Sequence, residues 1–208
     1  MRNAIILALF VILSYPVESA GVTGVSVGGR IGWSENSGEV LPGVADLGTG
    51  TTYTAILGIG AVPGLDVEFR GSYFEKEFIY SYDVGGVPVE YPFTYRDMGV
   101  TALLKRNIVE PAGLPFALYA GAGVGVHFLN TEVATEVASG TVEPPADADD
   151  PFAMMENTGK LGGEGVVGLT LAPPTFPLAA FGEYRYGVIF ASERLTQSEF
   201  AAGLMIRF

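Results

Sequence analysis

Apolar side chains recur at every second position along most of this chain, and they still do so at its last residue. Residues 200–208, FAAGLMIRF, set Phe200, Ala202, Leu204, Ile206 and Phe208 on one side and Ala201, Gly203, Met205 and Arg207 on the other. A period of two makes a β-strand with one apolar face. Strands carry unpaired donors and acceptors along both edges, so a chain built from them must close its sheet or cover its edges.

Seven further stretches repeat the pattern. Val25, Val27, Ile31 and Trp33 oppose Ser26, Gly28 and Arg30. Tyr53, Ala55, Leu57 and Ile59 oppose Thr52, Thr54 and Gly58, and Leu65, Val67, Phe69 and Tyr73 oppose Asp66, Glu68 and Arg70. Met98, Val100, Ala102 and Leu104 oppose Asp97, Gly99 and Thr101. A fifth stretch, 116–128, sets Phe116, Leu118, Val124 and Phe128 against Tyr119, Gly121, Gly123, Gly125 and His127. Leu161, Val167, Leu169 and Leu171 oppose Lys160, Gly162 and Glu164, while Ala180, Tyr184, Tyr186 and Val188 oppose Glu183 and Arg185. The pattern predicts an all-β, eight-stranded antiparallel architecture with strands of about ten residues, the length that crosses a bilayer at a tilt.

Composition separates this chain from a soluble globule. It is 49% hydrophobic with mean hydropathy +0.36, yet holds 29 glycines, 13 prolines and a net charge of −12. After the N-terminus no window of about 18 apolar residues is free of charge or glycine, so the apolar content lies in short segments. Short links at Pro63-Gly64, 107–114 and 172–177 alternate with long ones at 34–50, 80–92 and 130–157, with a shorter fourth at 191–197. That alternation is the turn-and-loop pattern of an up-and-down transmembrane β-barrel. A soluble barrel would turn the apolar face inward. Against it stand aromatic residues near strand ends (Trp33, Tyr53, Phe69, Tyr73, Phe116, Phe128, Tyr186), which read as interfacial girdles.

The remaining composition limits partners and chemistry. The negative balance excludes nucleic acid as a partner, because nothing would neutralise phosphates. The absence of cysteine excludes a disulfide scaffold and thiolate metal sites. Arg2, the apolar run 4–13 and the small residues Ser19, Ala20 and Gly21 read as an export signal. Its predicted extent is 1–20, with the cut at 19–21, leaving 22–208 as the barrel.

The lumen side carries the chemistry. Arg30, Glu68, Arg70, Glu164, Glu183 and Arg185 share the non-lipid parity near mid-height, with Asp97 and Lys160 nearer the outer rim. An eight-stranded barrel is filled by its own side chains, and charges there must pair. A structural salt-bridge plug is expected, with Arg70 and Arg185 contacting Glu68, Glu164 or Glu183. The competing readings are a narrow pore or lateral route for small hydrophobic molecules, and a catalytic carboxylate pair. His127 is the only histidine, so it forms no histidine pair for a metal, and no serine adjoins it for a lipid-acting enzyme. Gly163-x-Gly165-x-x-Gly168 matches a dinucleotide fingerprint in letters only; no helix follows, and no cofactor is expected. Residues 130–157 are acidic and hold Asp147, Asp149 and Asp150 without the glycine of a calcium loop. They read as a solvated loop, with a loosely held divalent cation the only metal alternative.

The export signal, the eight strands, FGEYRYG at 181–187 and the terminal FAAGLMIRF together resemble small outer-membrane barrels of the OmpA/OmpX type, across essentially all of 22–208. The resemblance implies an outer-membrane location among lipids including lipopolysaccharide. It implies that Phe200, Leu204, Ile206 and Phe208 form a terminal signal read by the outer-membrane assembly machinery, with the last strand closing against the first. It further implies a structural or surface-interaction role toward an extracellular partner, without enzymatic activity. One departure from such relatives is the expectation of no peptidoglycan-binding domain after the barrel.

Overall fold

A computed structural model of the 208-residue chain describes residues 24–41, 44–84, 87–111, 113–133, 158–173, 176–191 and 194–208. The strands are β1 (Gly24–Leu41), β2 (Val44–Val62), β3 (Leu65–Val84), β4 (Val87–Val109), β5 (Phe116–Val133), β6 (Thr158–Leu171), β7 (Leu178–Phe190) and β8 (Arg194–Arg207). They form one closed antiparallel barrel in sequence order, with β8 paired back onto β1. The predicted leader and the carboxylates Asp147, Asp149 and Asp150 lie outside the described residues.

The strands run longer than the alternation indicates, from 13 residues in β7 to 23 in β4. Most of the stretches expected as loops at 34–50 and 80–92 are strand: β1 pairs with β2 as far as Leu41↔Val44, and β3 with β4 as far as Val84↔Val87. Likewise β8 begins at Arg194, inside the expected link 191–197, and β5 carries on to Val133. The reason is physical. Beyond the apolar band the outward face of a strand also meets water, so ladder pairing continues while outward positions turn charged, as at the exposed Glu75 and Glu77 between the inward Phe74 and Phe78. On the opposite side the links are tight, and Gly64, with φ of 76°, takes the left-handed conformation that the turn after Pro63 needs.

Register sets the bore. Followed around the barrel, pairing leads from Val27 through Leu57, Phe69, Ala102, Val124, Gly163, Val188 and Thr196, and returns to β1 at Ser37, ten residues on. Such a stagger tilts the strands by about 45° and leaves an interior that side chains fill. The wall turns Val27, Ile31, Val100, Val124, Leu161 and Phe200 outward. Inside, the filling is layered. Leu47, Phe74 and Tyr95 are packed beneath the loop end, with Phe78 and Leu129 against them. Charged side chains occupy the middle. Below them sit two small apolar clusters, Ile56 with Phe181 and Met205, and Leu103 with Tyr119 and Val166.

Candidate functional site

Cross-strand neighbours on the lumen face build the charged layer. Glu183 of β7 lies at its centre: it accepts hydrogen bonds from Arg30, from both Arg70 Nη atoms at 2.8 and 3.0 Å, and from the Tyr119 hydroxyl at 2.8 Å. Glu68 accepts from Arg70 at 2.7 and 3.1 Å and from Lys105, whose ammonium lies 4.7 Å from the Tyr119 ring centre. On the far side Arg185 donates to Glu164 at 3.0 Å and to Gln197 at 3.2 Å, and its Nε lies 2.7 Å from Glu199 Oε2. Arg30 joins the two halves, donating to Glu199 at 3.4 Å.

The network continues toward the loops. Gln197 Nε2 donates to Asp97 Oδ2 at 2.7 Å, and His127 Nδ1 lies 2.9 Å from Asp97 Oδ1. Lys160 stands in register with His127 and is half-buried. From Lys105 to His127 the side chains form one connected network across seven strands, with four cations (Arg30, Arg70, Lys105, Arg185) interleaved among four glutamates. Charges this deep gain from pairing because each bare one would carry a large desolvation penalty.

Two members escape a reading of parity alone. Lys105 stands at the end of the β4 alternation, and Glu199 precedes Phe200, where the closing apolar pattern begins. The register Arg185↔Glu199 is what brings Glu199 in. Glycines make the room. A Cβ on Gly32 would run into the Glu199 carboxylate, and one on Gly162 would stand 2.8 Å from His127 Cδ2. Ile56, Leu103 and Val166 also face inward, apolar residues on the face expected to be polar.

In fold, the barrel is similar to Neisserial surface protein A, with a TM-score of 0.56, 15% identity, and 90% of this chain and 99% of that one covered. It is equally similar to the outer membrane protein OprG from Pseudomonas aeruginosa, at TM-score 0.57 and 13% identity over 91% and 98% of the two chains. The chain has the fold of the small eight-stranded outer-membrane barrels. At those identities the likeness is one of fold. No protein-family model and no curated protein matches the sequence.

The outside of this outer-membrane-type barrel accounts for the remaining site residues. Trp33, Tyr53, Tyr73, Phe128 and Tyr186 are exposed on the wall, Phe116 is half-buried beside the tight turns, and Phe200, Leu204, Ile206 and Phe208 point outward along β8. Phe69 is placed differently from the expectation. It lies midway between the turn at Pro63-Gly64 and Tyr73, paired with Leu57 and Ala102, so it occupies the middle of the wall and not a rim. Just beyond Tyr73 the surface changes character. The Tyr73 hydroxyl and Arg96 Nε both donate to Glu75 Oε2 at 2.6 Å, and these hydrogen bonds hold the Glu75 carboxyl below its usual range. Apolar wall gives way there to charged rim.

Proposed function

We propose that this chain is an integral outer-membrane protein with a closed lumen, serving a structural or surface-interaction role and catalysing no reaction. One observation carries the reading: the charged network spans the bore with its side chains buried and each of its four cations paired with a carboxylate, capped on the loop side by Phe74, Tyr95 and Leu47. An ion crossing the bore would have to replace several charge-assisted hydrogen bonds at once. Strand extensions beyond the apolar band raise β1–β2 and β3–β4 above the membrane, where a partner can reach them. Outer-membrane lipids, including lipopolysaccharide, surround the wall, and the assembly machinery reads the Phe208 end.

Planar-bilayer recording of the refolded protein tests the closed lumen. No sustained discrete openings are expected at moderate salt. Sustained openings that change in Glu183→Gln would make the bore a conduit and overturn the reading. Mass spectrometry of phospholipid or lipid A incubated with the protein should show no new product; acyl loss dependent on His127 would make it an enzyme.

A further inference from the structure

At the tight-turn end the lumen opens into a cup of about 280 Å³, with Lys105 and Phe181 at its floor and Gly60 and Ala179 in its walls. Four charged side chains border it, two of each sign: Asp66, Glu110, Lys105 and Arg207. Two of them are engaged. Lys105 is held by Glu68, and Glu110 accepts from Asn107 at 2.9 Å. Asp66 and Arg207 make no side-chain hydrogen bond or ion pair among the described residues.

Register places these two across the mouth from each other. Asp66 pairs with Gly60, Gly60 pairs with Gly24 on β1, and Arg207 of β8 pairs with Ser26 on β1. Three strand spacings, roughly 14 Å along the wall, thus separate their backbones. Both side chains have the lumen parity, so a carboxylate and a guanidinium face one small polar space from opposite sides. Because the two charges left without a partner are of opposite sign, the cup favours a guest that carries both signs over a simple anion or cation.

The geometry points to a binding site for a small zwitterion of amino-acid size, its ammonium on Asp66 and its carboxylate on Arg207. Arginine matches a carboxylate with two parallel donors, and a partly desolvated carboxylate gains from an ammonium. The volume lies below the usual range for drug-sized ligands, which restricts the guest to a few heavy atoms. The site is open to the turn side only, since the charged layer closes it above. It is independent of the proposed surface role.

Calorimetric titration of the refolded barrel in micelles tests the site with alanine, propionate and ethylamine. Alanine should bind saturably, and the two analogues, each lacking one charge, should bind at least about tenfold more weakly. Asp66→Asn and Arg207→Gln should each weaken alanine by a similar factor. Absence of saturable alanine binding to the wild type, or equal binding of alanine and its analogues, would overturn the proposal. The wild-type comparison decides even where a variant fails to fold.

Discussion

Arg185 engages Glu164, Glu199 and Gln197 at once, and its removal leaves two buried carboxylates with only distant cations, Arg70 at 3.9 Å from Glu164 and Arg30 at 3.4 Å from Glu199. Arg185→Ala should therefore cost about 3–5 kcal/mol of folding stability, read from the denaturant midpoint of the refolded barrel. Arg185→Lys should recover only part, because an ammonium cannot fork between two carboxylates. A loss below that of an ordinary surface substitution would mean that water, not protein, satisfies the glutamates. Gly32 tests the same contact from the other side. A Cβ there meets the Glu199 carboxylate, so Gly32→Ala should destabilise by about 1–3 kcal/mol. Since both changes act on Glu199, the double variant should lose less than the sum of the singles. Full additivity would place the effect of Gly32→Ala in the backbone instead.

Among the elements, β8 carries the sharpest prediction. The residue that follows it, Phe208, points outward, 78% exposed, and its backbone N donates to Val25 O at 2.8 Å, tying the end of the last strand to the start of the first. Phe208→Ala keeps that backbone bond and removes one aromatic from the wall, a loss of about 1.5–3 kcal/mol of apolar burial. Insertion into the outer membrane of cells should fall more than refolding into micelles does. The opposite result, unchanged insertion with collapsed refolded stability, would make Phe208 a packing element and not a signal. Element boundaries were the least legible part of the sequence. β3 and β4 pair on to Val84↔Val87, yet Glu75 and Glu77 stand at outward positions of the kind that Phe69 and Tyr73 fill lower down, because there the wall meets water and the apolar signal ends.

For the whole molecule, closure leaves no strand edge in the apolar band, and an apolar belt surrounds a charged filling. Such a barrel should migrate faster unheated than boiled in detergent gels, because the closed ladder resists detergent until heat breaks it. Equal migration of the two samples would count against closure. The distribution of side chains between belt and filling was readable from the sequence alone, since parity is a local property of each strand: Arg30, Glu68, Arg70, Glu183 and Arg185 carry the lumen parity in their own segments. Which of them meet was not. Arg30 and Glu183 stand 153 positions apart, Arg70 and Glu183 113, and they touch because a ten-residue stagger brings β1, β3 and β7 to one height around a narrow bore. Lys105 and Glu199 join for the same reason, through pairings that no local period encodes. A period of two specifies the face on which a side chain stands; only the closed register specifies what stands opposite it.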